Sequence, residues 1–231
     1  MEITYLGHAG IRLATGNSRV VIDPFISPNS QAEAAGLSLS RLEVDDLLLT
    51  HGHEDHVADA PELAARPGVH VIANYEVAMW MQGKGAHTVL PMNHGGVLQR
   101  PYGKVRMVNA VHSSTLPDGT PGGNPAGYII EAEGLRVYHA GDTALTMDME
   151  LIGRYWTPDL ACLPVGDVFT MGPEDALAAA QMLDCDRVLA LHYDTFPPIA
   201  LDHDRKLRAQ AAFAEIGKEL IFLQIGEQIT A

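Results

Sequence analysis

Cysteine, basic residues and long apolar runs are scarce in this chain, and each shortage excludes something. Two cysteines, Cys162 and Cys185, in 231 residues cannot build a disulfide framework, so a buried core must stabilise the fold and the expected compartment is the reducing cytoplasm. Lys and Arg number 15 against 29 Asp and Glu, a formal net charge of −14. The basic residues are scattered and form no patch or arm to grip a polyanion, which excludes long nucleic acid as a partner more firmly than a small anion. No stretch approaches the roughly 18 apolar residues of a membrane span. The opening Met-Glu-Ile-Thr-Tyr-Leu-Gly-His lacks a basic segment followed by an apolar one, so no signal peptide is expected. A Gly-X-Ser-X-Gly elbow, a Walker loop and a dinucleotide-binding glycine fingerprint are also missing.

What is present is enough for a core: 47% of residues are hydrophobic and 19% are charged. The length leaves one or two domains open. No linker divides the chain, so a single domain over residues 1–231 is expected. Ile3–Tyr5, Gly10–Ala14 and Arg19–Ile22 read as strands, the last two joined through Gly16-Asn17. Residues 27–40 read as a loop, and Val44–Thr50 as a buried strand. Ala58–Ala65 reads as a helix, Val69–Ala73 as a strand, Tyr75–Gln82 as a helix and Thr88–Leu90 as a strand. Strands follow at Val97–Gln99, Lys104–Val111, Gly127–Ala132 and Leu135–His139, with a long loop over 114–125. The last third alternates strand and helix. Asp159–Pro164 is a strand, Pro173–Leu183 a helix with Pro and acidic residues in its first turn, Arg187–Leu191 a strand and Asp204–Ile216 an amphipathic helix. Leu220–Leu223 and Gln228–Ile229 close the chain as strands. Strand-rich blocks alternating with strand–helix blocks predict an α/β fold with sheets covered by helices.

The chemistry concentrates in Thr50-His51-Gly52-His53-Glu54-Asp55-His56. Three histidines and an aspartate stand in six residues at the end of an apolar strand. His51 and His53, two apart in extended backbone, share a side, and Asp55 and His56 project from the turn that begins a helix. Imidazole suits Zn, Fe and related ions, and carboxylate adds harder ligation.

These residues match the signature His-X-His-X-Asp-His, and the chain here resembles the metallo-β-lactamase superfamily. Further matches follow in order along almost the whole chain: Asp23 in Val20-Val21-Ile22-Asp23-Pro24, His112 in Asn109-Ala110-Val111-His112, Asp142 in His139-Ala140-Gly141-Asp142-Thr143, and His192 in Leu189-Ala190-Leu191-His192-Tyr193. Tyr5-Leu6-Gly7-His8-Ala9, Gly122-Gly123-Asn124-Pro125-Ala126-Gly127 and Met171-Gly172-Pro173-Glu174-Asp175-Ala176 resemble the small bacterial metal-dependent hydrolase branch related to ascorbate-6-phosphate lactonase. The resemblance implies an αββα sandwich, two mixed β-sheets flanked by helices, and two divalent metal ions. One ion would be held by His51, His53 and His112, and the other by Asp55, His56 and His192, with Asp142 bridging. Zn is the first expectation, and Mn or Fe also fit. A water shared by the ions, its pKa drawn toward about 7, is the implied attacking hydroxide, with Asp55 orienting it. The reaction expected is hydrolysis of a small ester, lactone or phosphoester, with an anionic charge on the substrate left open, as is homo-oligomerisation.

Two other functions compete. One is a nuclease or phosphodiesterase of the same fold, disfavoured by the charge and the lack of a basic arm. The other is a non-catalytic metal-binding protein. No cysteine occupies a matched ligand position, which weighs against antibiotic hydrolysis. Asp23 is expected to hold the histidine loop rather than a metal, with a turn-capping role as the alternative. His8 divides evenly between a role near substrate or ligands and a role in its turn. His94 is a weak candidate for the pocket rim. Tyr193 could serve substrate or packing, His139 should hydrogen-bond locally, and His70, His87 and His203 read as ordinary exposed histidines. Met79-Trp80-Met81 and Cys162 read as core.

Overall fold

The computed structural model describes all residues, Met1–Ala231. The chain starts as a meander. Strands β1 (Glu2–Gly7), β2 (Gly10–Thr15) and β3 (Ser18–Ile22) pair antiparallel, with Gly16 at φ +55° in the two-residue turn between the last two. The direction of pairing then changes. Strands β4 (Asp46–Leu48), β5 (His70–Asn74) and β6 (Thr88–Met92) add in parallel to β3. The C-terminal β14 (Gln228–Thr230) returns to pair with β1, completing a sheet of seven strands.

The second sheet follows the same plan, although no sequence repeat announces it. Strands β7 (Val97–Arg100), β8 (Gly103–Asn109), β9 (Ala126–Ala132) and β10 (Leu135–His139) are antiparallel neighbours. Strands β11 (Leu160–Pro164), β12 (Arg187–Leu191) and β13 (Glu219–Ile221) extend the sheet in parallel. Parallel pairs need crossovers, and helices supply them. In the first half these are α1 (Ser30–Ala34), α2 (Glu54–Val57), α3 (Ala60–Ala64) and α4 (Tyr75–Gly83). In the second they are α5 (Asp148–Trp156), α6 (Pro173–Met182) and α7 (His203–Glu215). The α/β architecture of two mixed sheets flanked by helices is the one the sequence implies.

Alternation along the strands divides the core. Ile3, Tyr5, Val20, Ile22 and Leu48 of the first sheet meet Val105, Met107, Tyr128 and Ile130 of the second in a cluster of 43 buried residues. The intervening Leu6, Val21, Leu47 and Leu49 point the other way and join Val57, Leu63, Val77 and Met81 of the covering helices in a cluster of 20. Strands buried on both faces read as continuous apolar runs, which is why 44–50 looks like one long strand, although only Asp46–Leu48 pairs.

Several expectations need correction. The supposed loop 27–40 contains α1 and a 3₁₀ turn at Leu39–Arg41, and the helix expected over Ala58–Ala65 is α3 preceded by the separate turn α2. Helix α5 has no counterpart in the expected elements. Its buried Met149, Ile152 and Gly153, at helical spacing, were the available signal. His70 is not an ordinary exposed histidine. It is half-buried, with Nδ1 3.2 Å from the buried Asp46 carboxylate. Asp46 also accepts from Arg100 at 2.6 and 2.7 Å and from the Tyr102 hydroxyl at 2.8 Å, which ties the β7–β8 hairpin of one sheet to β4 of the other. No helix is long and apolar enough to cross a membrane.

Candidate metal centre

The strand termini gather the candidate residues. Asp23 follows β3, His51 follows β4, His112 follows β8, Asp142 follows β10 and His192 follows β12. Local backbone aims them. His8, Asp23 and His192 have φ of +55°, +44° and +56°, a region that residues with a Cβ adopt uncommonly and that persists where neighbours enforce it. Gly141, at φ +64°, precedes Asp142, and a Cβ there would stand 2.6 Å from the Ala126 carbonyl oxygen. At Gly166 a Cβ would stand 2.0 Å from the carbonyl oxygen of His192, so glycine is required where the loop after β11 touches the loop that carries His192.

Three overlapping groups of ligand atoms result, one of them the fully buried Asp23, His51 and His56, and two that face the cavity. The ring nitrogens of His51, His53 and His112 lie within 4.8 Å of one another, and His51 Nε2 faces His53 Nδ1 at 2.9 Å. His8, Asp55, His56 and His192 form a second group within the same limit. Asp142 stands between them. Its Oδ2 is 3.1 Å from His192 Nε2, 3.4 Å from His56 Nε2 and 3.6 Å from His112 Nε2.

The surroundings orient these rings. Asp23 is fully buried. Its Oδ1 accepts from the Thr50 amide at 2.9 Å and its Oδ2 from the Thr50 hydroxyl at 2.5 Å. Oδ2 also accepts from His56 Nδ1 at 2.7 Å. That fixes the His56 tautomer and turns Nε2 toward Asp142. The Thr50 oxygen lies 3.0 Å from His51 Nδ1; with its proton given to Asp23, it accepts from that nitrogen and leaves Nε2 unprotonated. His8 is held by burial at a pKa lowered to about 4, against the opposing pull of Asp55. Its neutral ring donates through Nε2 to Asp55 Oδ2 at 2.8 Å, and Nδ1 lies 3.0 Å from Thr195 Oγ1.

The donor set fits a cation. His56 Nε2 and Asp142 Oδ1 are buried without a hydrogen-bond partner, a costly state for protein groups alone and the right one for ligands. The protonation pattern agrees. Burial lowers His51 well below the ordinary imidazole range. Burial opposes ionisation of Asp142, but His192 and His56 hold its carboxyl well below the usual range. Burial would also lower His56 and His192. For His56, Asp142, Asp55 and Asp23 outweigh burial and raise it well above its ordinary value. For His192, Asp142 and Asp55 raise it to about 9. Divalent ions would replace the protons these rings carry.

A cavity of about 570 Å³ opens onto His53, Asp55, His112, Asp142 and His192. Its remaining wall is Phe25, Pro28, Glu54, Ser113, Phe169 and Phe196. Five of the seven residues expected as ligands line it, while His51 and His56, like Asp23 and His8, are buried and do not. The long loop 114–125 does not line the cavity. It packs on α4, with Asn74 donating to the carbonyls of Gly122 and Asn124, and Trp80 donating to Asp118. From 193–203 only Phe196 lines the cavity. His94 is also absent from the wall, its Nε2 lying 2.9 Å from the Pro125 carbonyl oxygen. Tyr193 packs on Tyr5 and donates to the Leu223 carbonyl. His139 is buried between the Ala9 carbonyl and the Gly141 amide, while His87 and His203 are exposed. The phenylalanines had no chemical motif to mark them. The one signal for Phe169 is a bulky apolar residue in a loop bounded by Gly166 and Gly172.

Known proteins resemble this chain in sequence and fold. The model of the beta-lactamase superfamily domain matches residues 2–192. A UPF0173 metal-dependent hydrolase of Christiangramia forsetii is 44% identical over 229 residues, covering 99% of both chains. One from Thermus thermophilus is 45% identical over 219 residues, covering 95% of this chain and 92% of its own. The solved structure of Igni18, a metallo hydrolase from Ignicoccus hospitalis, superposes with a TM-score of 0.87 at 32% identity, covering 99% of this chain and 97% of its own. The chain therefore belongs to the metallo-β-lactamase superfamily, in its family of UPF0173 metal-dependent hydrolases.

Proposed function

We propose that this metal-dependent hydrolase works with two divalent ions and cleaves a small ester, lactone or phosphoester. The observation that carries the reading is the position of Asp142, whose one carboxylate oxygen reaches both ligand groups. His51, His53 and His112 would hold one ion, Asp55, His56 and His192 the other, and Asp142 both. The all-nitrogen group favours Zn, and the carboxylate-rich group also suits Mn or Fe. Two such ions supply Lewis acidity, polarising the substrate oxygen and lowering the pKa of water.

The protein's own groups do the rest. Asp23 locks His56, and His8 steadies Asp55. Asp55 has a quarter of its side chain exposed and lines the cavity. It is kept ionised because His56, His192 and His8 outweigh its burial. It would accept a hydrogen bond from the attacking water and orient it. The cavity gives substrate a path to the ligand groups, which a purely structural metal site does not need. No lysine or arginine lines it, which supports a hydrolase of small molecules over a nuclease. The two unpaired, buried cysteines fit a cytoplasmic setting.

The test is Asp142→Ala, assayed for metal content and for turnover of a panel of lactones and p-nitrophenyl esters and phosphodiesters. Loss of bound metal with a fall in activity beyond about 100-fold is expected, since even the residues supporting ligands are worth 10–100-fold. Two retained metals with full turnover would reject the bridge.

A further inference from the structure

Beyond the ligand groups the cavity wall is aromatic and carries no cation. Phe25, Phe169 and Phe196 line it, together with the acidic Glu54. Two carboxylates that neighbour these phenylalanines in sequence occupy the nearby basic groups. Asp167 Oδ2 is 2.7 Å from Arg205 Nη2, and Asp194 is ion-paired with Lys206. An anionic substrate is ordinarily gripped by a free Arg fork or Lys, and neither reaches this cavity.

The phenylalanines are placed for contact with something other than protein. Phe169 is 56% exposed and Phe196 38%. Phe196 and the buried Phe25 lie 6.1 Å apart, and each packs on His8, at 5.4 and 5.5 Å. This wall is therefore continuous with the ring that steadies Asp55. Phe169 is held over the cavity by an unusual backbone. Asp167 and Val168 have φ of +67° and +58°, and the Phe169 amide donates to the Asp167 carbonyl at 2.6 Å, closing a three-residue turn. A β-branched residue in that region persists only where it is held. Arg205 and the Val168 amide, at 2.9 Å, anchor the Asp167 carboxylate.

Resting on the hydrolase reading above, we propose that the substrate is an uncharged carboxylic ester or lactone with an aromatic or branched-alkyl flank packed against Phe169, Phe196 and Phe25, and not a phosphate. Burial of that flank drives binding through apolar area removed from water. Water adds its oxygen to the acyl carbon, and the acyl–oxygen bond breaks with its electron pair on the departing alkoxide. That oxygen takes one of water's protons, and the other is released as the new acid ionises. The neutral substrate thus becomes an anion beside Glu54, which repels it and favours its release.

The test uses the Zn-loaded protein, its Phe169→Ala and Phe196→Ala variants, γ-butyrolactone, γ-phenyl-γ-butyrolactone and bis(p-nitrophenyl) phosphate. Phe169 is more than half exposed, so its truncation opens no core cavity. Expected is a kcat/KM at least about 10-fold higher for the phenyl-substituted lactone than for the unsubstituted one, the low end of what apolar pocket contacts discriminate. That ratio should fall toward unity in both variants. Fastest turnover of the phosphodiester, or a ratio unchanged in both variants, overturns the proposal while leaving the hydrolase reading intact. Calorimetry with the non-hydrolysable 2-phenylcyclopentanone and cyclopentanone reads the same pocket without turnover. Tighter binding of the phenyl ketone, lost in Phe169→Ala, with no hydrolysis of any substrate, would sink the hydrolase reading and keep the apolar subsite. Equal binding of the two ketones overturns the proposal.

Discussion

Asp23 does not line the cavity, yet it decides what His56 can do. By accepting from Nδ1 it turns Nε2 toward Asp142 and leaves that nitrogen as the one that can ligate. Asp23→Ala should therefore lower metal affinity by about 10–100-fold, measured by competition with a chelator of known affinity; unchanged affinity would show that His56 is oriented by packing alone. His192 and His56, both raised above the ordinary imidazole value, set the pH dependence, and His192 shows the sign. In the metal-free fold its pKa is raised to about 9 from an ordinary 6.5, so between those values it is protonated and must lose that proton to ligate. Metal affinity should climb with pH up to about 9, with proton release on binding near pH 7.5. Calorimetry in buffers of different ionisation enthalpy reads that release, and a heat independent of buffer would contradict it. Burial pushes the Cys162 and Cys185 thiols up, so neither should react with a thiol reagent at pH 8 until the protein unfolds. Immediate modification of one would contradict their placement.

Elements succeed or fail here by how they bury their faces. Helix α6 was legible because Pro173, Glu174 and Asp175 mark its first turn, and β10–β12 because their apolar runs are bounded by turns. The split between α2 and α3 was not legible. The break falls at Ala58-Asp59, where Pro61 in the first turn of α3 has no amide hydrogen to donate back to α2 and the Asp59 carboxylate turns to accept from the Ile26 and Ser27 amides. The candidate ligands were visible in the sequence because ligation demands particular residue types. The phenylalanines were not, because apolar contact accepts many types and only the fold brings residues 25, 169 and 196 together. The Asp46 clamp belongs to the same class, joining His70, Arg100 and Tyr102 from segments far apart in sequence. Asp46 is 1% exposed, and removing one partner of a buried ion pair leaves the other uncompensated. Asp46→Ala should cost about 3–5 kcal/mol, read from urea unfolding; a loss below about 1 kcal/mol would mean that Arg100 finds water instead.

At the scale of the whole molecule, two halves of like topology lean together, each a meander followed by parallel strands. The site collects loops from both: Asp23, His51, His53, Asp55 and His56 from the first sheet's side, His112, Asp142 and His192 from the second's. Metal binding should therefore stabilise the docking of the halves. Binding at 1,000-fold excess over Kd adds about 4 kcal/mol per site, so chelation should lower Tm markedly, and re-addition of Zn should restore it. The central claim is that one chain holds two ions that share Asp142. Anomalous diffraction from crystals of the metal-loaded protein tests it most directly. The account predicts two peaks about 3.5–4 Å apart, one beside His51, His53 and His112, the other beside Asp55, His56 and His192, with the Asp142 carboxylate on both. A single peak in protein given excess metal, or two peaks with Asp142 on neither, would contradict it.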